Sequence, residues 1–143
     1  MSTPKNSFIW PIRVYYEDTD AGGVVYHAAY LHYMERARTE WLRHLGFEQD
    51  QLREQSQIIF AVRQASLDYH APARFNDQLN LVTQLTQLGR ASLKLTQQVQ
   101  QANTTATTLF TGHIKIACVS YPALRPTALP RTVRDVLHRC LSD

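Results

Sequence analysis

The fold is decided by the segment Ala28–Gly46, AAYLHYMERARTEWLRHLG, which has the period of an amphipathic α-helix. Its apolar residues recur at steps of three and four and therefore share one face of a helix about five turns long. Gly46 suits the end of that helix, because glycine readily adopts the left-handed conformation that follows many helix C-termini. The sequence thus predicts a helix over 28–45. Its apolar face comprises Ala28, Leu31, Met34, Ala37, Trp41, Leu42 and Leu45.

The residues around this helix have the composition and period of β-strands. The segment 8–16, FIWPIRVYY, is aromatic and β-branched, and its Pro11 is typical of an edge strand or a bulge. From position 58 onward apolar and polar residues alternate, which is the pattern of half-buried strands. The further predicted strands are 58–69, 79–88, 91–100 and 106–120.

The connections between the strands indicate how the elements are arranged. The links 89–90 and 102–105 are short enough for hairpins, so the strands that they join are antiparallel. Consecutive strands joined in this way cannot form right-handed βαβ units, and the sheet needs a helix to cover one face. We therefore predict a single α+β domain over 1–143, an antiparallel sheet of about five strands wrapped around helix 28–45. A helical turn at 50–55 and a last amphipathic helix, 133–141, complete the predicted elements.

Composition excludes several classes of protein. The chain has 143 residues, 15 Lys and Arg against 12 Asp and Glu, and a formal charge of +3, which is too small an excess for a nucleic-acid surface. Its five glycines form neither of the Gly-rich phosphate-loop motifs. Cys118 and Cys140 lie in no metal or redox motif and are expected to be buried free thiols. Since no apolar run suits a signal peptide or a membrane span, the expected location is the cytoplasm.

The junction between the first strand and the helix is the least ordinary part of the sequence. It contains the segment 17–23, EDTDAGG, followed by His27. Carboxylates near a helix N-terminus are stabilised by its partial positive charge, but the spacing alone leaves two interpretations open: an active site, or aspartates that cap a turn. A calcium loop is excluded, because Gly22 and Ala29 occupy two of its ligand positions. The other histidines lack metal-ligand spacing, so no metal is predicted.

A longer stretch around this junction carries a resemblance to a known family. The segment 14–31, VYYEDTDAGGVVYHAAYL, continuing into 35–42, ERARTEWL, closely resembles the hot-dog-fold acyl-CoA thioesterases of the Tol–Pal-associated YbgC type. These belong with the hydroxybenzoyl-CoA thioesterases. The resemblance extends through 69–74, YHAPAR, and 128–130, ALP. It implies a hot-dog fold, hydrolysis of acyl-CoA without a cofactor, and assembly into homodimers or homotetramers.

The resemblance also assigns roles to residues of the junction. The family's catalytic carboxylate matches Asp20, as nucleophile or as general base, and a backbone N–H near His27 matches the oxyanion donor. Free N–H groups at a helix N-terminus point at developing negative charge, which suits that role. The His27 side chain is expected to polarise the carbonyl or position water, or else only to satisfy the helix start. The supporting residues are Asp18, Gly22, Gly23, Tyr26 and Glu35, with an ion pair to Arg36 or Arg38 as the alternative role of Glu35.

Coenzyme A carries phosphates, so cations are expected where it binds. Arg90 matches a position where relatives contact CoA, and Ser92, Arg63 and Lys94 are further candidates, with solvated surface charge as the alternative for each. The basic segment 125–139 suits an acidic acyl carrier protein or anionic lipid at the inner face of the membrane, or simple helix solvation. The rival function is a non-hydrolysing scaffold in phospholipid metabolism that binds acyl-CoA or acyl carrier protein. The sequence leaves the acyl group undecided.

Overall fold

Five strands form one antiparallel sheet in the structure, a computed structural model that describes residues 6–141. The sheet has the order β1-β3-β4-β5-β2, and every neighbouring pair is antiparallel. This confirms the predicted α+β architecture and both hairpins. The strands are β1 (Phe8–Arg13), β2 (Ile58–Tyr69), β3 (Gln78–Leu88), β4 (Ser92–Gln101) and β5 (Thr108–Ser120). β1 lies at one edge of the sheet, which is where Pro11 is tolerated.

One long helix, α1 (Ala29–His44), crosses one face of the sheet. A short helix, α2 (Gln49–Gln51), runs into a π-helical turn (Leu52–Ser56), and α3 (Arg131–Arg139) follows Pro130 near the end of the chain. The predicted first strand is too long, because the chain leaves β1 and forms a 3₁₀ turn (Tyr16–Asp18). No helix within residues 6–141 is both long enough and apolar enough to span a membrane. Cys118 and Cys140 are free thiols, the first buried and the second half-buried.

The buried face of α1 differs in part from the predicted one. Met34, Ala37, Trp41 and Leu42 are buried as expected, but Leu31 is 44% exposed. Tyr30 and Tyr33 are buried instead. Their rings pack edge to face with centroids 6.0 Å apart, and the Tyr30 ring stacks on Phe110 at 4.7 Å. Two aromatic rings remove more apolar surface from water than one leucine, which explains why the helix turns this side inward.

The centre of α1 lies very close to the sheet. A Cβ atom at Gly112 would lie 2.6 Å from Cε of Met34, so a larger residue there would displace the tip of this side chain. Beside it, the fully buried Gln97 donates from Nε2 to the Met34 carbonyl at 3.1 Å and to Oγ1 of Thr83 at 3.0 Å. Its Oε1 accepts a hydrogen bond of 3.0 Å from Nη1 of Arg38. Gln97 therefore links the middle of α1 to the middle of the sheet.

Replacement of Gln97 tests this link. Gln97→Leu keeps the volume but leaves three polar groups without their partner, which should lower the free energy of unfolding by about 1–3 kcal/mol. Gln98→Leu is the matched control, because Gln98 lies on the opposite face of β4 and should change stability by less than about 0.5 kcal/mol. Urea denaturation measures both. Equal midpoints for the two variants would contradict the role given to Gln97.

Candidate active site

The acidic junction forms a tight turn that fixes Asp20. The Asp20 N–H donates to the Val24 carbonyl at 2.9 Å, and the Gly23 N–H donates back to the Asp20 carbonyl at 3.0 Å. Gly23 has φ +77°, a left-handed conformation that few other residues adopt without strain. The Gly22 N–H donates to Oδ1 of Asp20 at 2.8 Å. Oδ1 is thus held by the turn, and Oδ2 accepts no hydrogen bond within the described residues 6–141.

The turn continues into a narrow ribbon that orients the Asp20 side chain. Isolated bridges pair Thr19 with Val25 and Val24 with Arg74, and the Val25 N–H donates to the Ala73 carbonyl at 2.8 Å. Val25 and Ala73 are buried, 5% and 0% exposed. Because side chains alternate across such a ribbon, Asp20 lies on the side away from the core. Asp20 is accordingly exposed to solvent at the rim of the fold.

The start of α1 supplies free backbone donors next to this turn. The Ala29 N–H already donates to the Tyr26 carbonyl at 2.8 Å. The N–H groups of His27 and Ala28, in contrast, donate to no acceptor within the described residues 6–141. Unpaired N–H groups at a helix N-terminus carry partial positive charge and stabilise an oxyanion. The geometry therefore agrees with an oxyanion donor near His27.

A cavity of about 340 Å³ joins these groups. Asp20 and His27 both line it, so the structure brings the two predicted catalytic residues together. The end of β2 and the following turn contribute Tyr69 and His70, whose Nε2 is hydrogen-bonded to Oγ1 of Thr111 at 3.0 Å. Tyr69 belongs to the family motif at 69–74, from which no role was predicted for it. The remaining lining residues are Val24, Val25, Tyr30, Ala71 and Pro72.

Tyr69 connects β2 to the start of α1. Its hydroxyl donates to the His27 carbonyl at 2.8 Å. Its ring packs edge to face on Phe110 and on Tyr30, with centroids 5.0 and 5.5 Å apart. Burial raises the pKa of the Tyr69 hydroxyl, so the group keeps its proton and remains a donor. Tyr69 thereby holds the peptide that joins His27 to Ala28, whose N–H is one of the two free donors.

Two of the predicted supporting residues shape the loop. Oδ2 of Asp18 accepts a hydrogen bond of 2.8 Å from the Tyr15 N–H, and its carbonyl accepts one of 2.8 Å from the Tyr26 N–H. Burial, with the neighbouring Asp18 carboxylate as the next cause, raises the pKa of Tyr33 beneath this loop. The Tyr26 ring contacts the His27 ring with centroids 4.4 Å apart. Asp18 and Tyr26 are therefore placed to hold the loop and the His27 ring.

Glu35 lies outside the cavity that contains Asp20. It lines a second cavity farther along α1, together with Arg38. The alternative role, an ion pair with Arg36 or Arg38, is wrong: within the described part of the chain no ion pair of 4.0 Å or less involves Glu35. Arg38 points under the helix to Gln97, and Arg36 lines a different cavity beside β1. Adjacent positions on a helix do not face each other, which explains the separation of Arg36.

Three of the four predicted CoA-binding residues lie toward the opposite end of the sheet. Ser92 pairs with Ala117 and Lys94 with Lys115, whereas the Tyr69 end of β2 lies beside Phe110 and Val99. The seven steps from Ser92 to Val99 span roughly 23 Å of strand. Arg90 lies in the β3–β4 turn at the same far end, and Arg63 lies at the bulge of β2. Within one chain, none of these four side chains lines the cavity that contains Asp20.

Known proteins resemble this chain along most of its length. Residues 14–137 match the model of the thioesterase-like superfamily. The acyl-CoA thioesterase YbgC of Haemophilus influenzae is 44% identical over 133 residues, which cover 93% of this chain and 96% of that protein. The chain belongs to the YbgC family of acyl-CoA thioesterases. The resemblance seen in the sequence is thereby confirmed.

Solved structures extend the similarity to the fold. A probable thioesterase from Bartonella henselae matches with a TM-score of 0.81 at 31% identity, and the match covers 87% of this chain and 99% of that one. A 1,4-dihydroxy-2-naphthoyl-CoA thioesterase from Synechocystis matches with a TM-score of 0.84 at 24% identity, over 92% and 96% of the two chains. This YbgC-family chain therefore has the hot-dog fold of the thioesterases.

The hydroxyl of Tyr69 gives a test of the site geometry. Tyr69→Phe keeps the ring contacts but removes the hydrogen bond to the His27 carbonyl, so kcat for acyl-CoA hydrolysis should fall roughly two- to tenfold with little change in KM. Tyr121→Phe, at the far end of the sheet, is the control and should leave kcat unchanged. Steady-state kinetics with a thiol reagent measures both variants. A rise in KM at constant kcat for Tyr69→Phe would contradict this role.

Proposed function

We propose that this protein hydrolyses acyl-CoA thioesters to free acid and CoA, with Asp20 as the reacting carboxylate. One observation carries the proposal: Asp20 lines the same 340 Å³ cavity as His27, where the helix N-terminus has free backbone donors. A thioester carbonyl in that cavity meets a carboxylate on one side and N–H groups on the other. One such donor is typically worth about 10²–10³ in rate.

Two routes use this arrangement. In the nucleophilic route Asp20 attacks the carbonyl carbon, the C–S bond breaks, CoA leaves as the thiolate, and water cleaves the resulting mixed anhydride. In the general-base route Asp20 takes a proton from a water molecule, whose oxygen attacks the carbonyl carbon, and the thiolate leaves and is protonated. In both, the N–H groups of His27 and Ala28 stabilise the oxyanion, and the His27 side chain polarises the carbonyl or positions the water.

Rapid-quench mass spectrometry separates the two routes. The nucleophilic route produces a peptide that carries the acyl group on Asp20 and that rises and decays within a single turnover. The general-base route forms no covalent intermediate on the protein. Gly22 has a supporting role in either case, because its N–H holds Oδ1 of Asp20.

Removal of the Asp20 charge is the direct test of the site. Asp20→Asn keeps the size of the side chain but removes the nucleophile and base, so kcat/KM on a panel of acyl-CoAs should fall roughly 10²–10⁴-fold. Asp135→Asn on α3 is the control, since it removes one exposed carboxylate far from the cavity. Circular dichroism and thermal unfolding verify that both variants are folded. Undiminished turnover of Asp20→Asn would disprove the assignment.

The active unit that we propose is a pair of chains joined along β2. This edge strand has twelve residues, bonds only to β5 within the described chain, and exposes Val62 by 52%. Long exposed edges of this kind readily pair with another strand. Antiparallel pairing about a two-fold axis sets the Ile58 end of one β2 beside the Tyr69 end of the other. That arrangement brings the partner's far end of the sheet, where Arg90, Ser92 and Lys94 lie, toward Asp20, with Arg63 at the middle of β2.

Mixed assemblies test this shared site. Asp20→Asn should lack turnover, and Arg90→Gln should raise KM because a phosphate contact is lost. In a mixed dimer, one site then combines an intact Asp20 with an intact Arg90 from the other chain. Mixing the two variants should therefore restore turnover with the unmodified KM. If mixing restores nothing while native mass spectrometry shows mixed dimers, Asp20 and Arg90 do not act across the interface.

The rival function is a scaffold that binds acyl-CoA or acyl carrier protein in phospholipid metabolism without hydrolysis. The exposed arginines of α3 and the preceding loop suit an acidic carrier or an anionic membrane surface; Arg131, for example, has a side chain 94% exposed. Tight binding of acyl-CoAs of every chain length without turnover would favour the scaffold. Pull-down with acyl carrier protein and fractionation of cells test the predicted carrier contact, the cytoplasmic location and any association with the membrane or the Tol–Pal system.

A further inference from the structure

A third cavity, with a volume of about 240 Å³, lies beside β1. The sheet has the order β1-β3-β4-β5-β2, so this cavity lies away from the edge that the proposed pair of chains joins. Its wall combines three elements: β1, the loop 15–26 that carries the Asp20 turn, and α1. Ile12, Asp18 and Tyr33 are the members of the wall that come from the strand, the loop and the helix, respectively.

Tyr33 is the unusual member of this wall. Its side chain is only 1% exposed, yet its hydroxyl has no hydrogen-bond partner within the described residues 6–141. The neighbouring Tyr30, whose ring centroid lies 6.0 Å away, differs in this respect, because its hydroxyl accepts from the Ala73 N–H at 3.4 Å. Most buried hydroxyl groups are paired, since an unpaired one loses the hydrogen bonds that it makes with water. A polar partner for Tyr33 is therefore expected close to it.

The carboxylate of Asp18 is the acceptor that faces this hydroxyl. Burial raises the pKa of Tyr33, so the hydroxyl keeps its proton and is a donor. Asp18 also raises this pKa, and Arg36, the smallest cause, opposes the shift. Glu17, the other carboxylate of the wall, is exposed. Oδ2 of Asp18 already accepts from the Tyr15 N–H at 2.8 Å, but an ionised carboxylate has about four acceptor positions and can accept a second hydrogen bond.

Asp18 closes the loop that carries Asp20. Its side chain accepts from the Tyr15 N–H at the start of the loop, and its carbonyl accepts from the Tyr26 N–H at the end. Asp20 lies between these two ends. Tyr33, in contrast, belongs to α1, at whose start the free N–H groups lie. A hydrogen bond from Tyr33 to Asp18 therefore joins the carboxylate turn to the helix beside which the oxyanion donors lie.

We propose that Tyr33 is a positioning residue of the reaction: its hydroxyl donates to the Asp18 carboxylate and thereby sets the distance between Asp20 and the free N–H groups at the start of α1. The hydrogen bond forms by a shift of the loop toward α1, because Tyr33 is fixed in the core whereas the loop residues 15–17 are exposed. Tyr33 touches no reacting atom in this role and acts through Asp18. The consequence for hydrolysis rests on the proposed function, and the hydrogen bond itself does not.

A double-mutant cycle in the full-length protein tests this role. Tyr33→Phe keeps the ring and removes only the hydroxyl, and Asp18→Asn removes the charge and one of the two acceptor oxygens. Each single variant should lower kcat for acyl-CoA hydrolysis roughly two- to tenfold with little change in KM, because the carboxylate turn is displaced and CoA binding is not. The double variant should be no slower than Asp18→Asn, since the two groups act through one contact. Tyr121→Phe, at the far end of the sheet, is the control and should leave kcat unchanged.

Urea unfolding of the same four proteins gives a second cycle, which involves no hydrolysis. If Tyr33 donates to Asp18, Tyr33→Phe should lower the unfolding midpoint of the unmodified protein and leave that of Asp18→Asn unchanged. An unpaired hydroxyl predicts the opposite sign, because its removal takes away an unfavourable buried group. The midpoint should then rise both in the unmodified protein and in Asp18→Asn.

Three results would overturn the proposal: an unchanged kcat of Tyr33→Phe, losses of kcat that multiply in the double variant, or a midpoint that rises on removal of the hydroxyl. If Asp18→Asn does not fold, Tyr33→Phe still decides, because its kcat and its midpoint should both fall. A failure of the Asp20 mechanism removes the meaning of the kinetic cycle only. The unfolding cycle stays valid in that case, so the two failures are distinguishable.

Discussion

The position of α1 on the sheet depends on the buried side chain of Gln97. A helix that packs only through apolar groups can shift along a sheet at small cost, because hydrophobic burial has no direction. The hydrogen bonds of Gln97 to the Met34 carbonyl and to Arg38 are directional, and they lie in the dry interior, where an unpaired polar group is costly. The absent side chain at Gly112 lets Met34 approach the strand beside it. Together these contacts set both the register and the depth of the helix.

Because Gln97 holds the middle of α1, it also determines where the start of the helix and the side chain of Arg38 lie. At the N-terminal end, the His27 and Ala28 N–H groups lie beside the turn that holds Asp20, and the Tyr69 hydroxyl fixes the peptide between them. Farther along, Arg38 extends beneath the helix and donates to Gln97. The same glutamine thus sets the position of the free N–H groups beside Asp20 and accepts a hydrogen bond from Arg38 at the second cavity.

Sequence period and motif predicted the sheet, the helix and the Asp20 turn, because each depends on neighbours along the chain. They did not predict those side-chain positions that depend on contacts between segments distant in the sequence. Periodicity placed Leu31 on the buried face. In the structure Tyr30 stacks on Phe110 and is buried instead, and Leu31 is exposed. Helical spacing suggested that Glu35 pairs with Arg38, but Gln97, from a strand some sixty positions away, accepts from Arg38 instead. Tyr69 had no local signal, since its hydrogen bond spans 42 positions.

The separation between Asp20 and the predicted phosphate-binding residues follows from the direction of the strands. Arg90 and Ser92 belong to the turn at one end of β3 and β4, and the Asp20 cavity lies beside the other end, so no side-chain movement within one chain joins them. In the pair of chains proposed above, a two-fold axis beside β2 reverses the strand direction and brings the two groups toward each other. The free edge of β2 also carries Val62, whose apolar side chain is 52% exposed. Covering this edge with a second strand is favourable, because it pairs the free backbone groups and buries the apolar side chain. The edge that is a liability for a single chain is therefore, in that proposed pair, the feature that brings the cations of one subunit toward the carboxylate of the other.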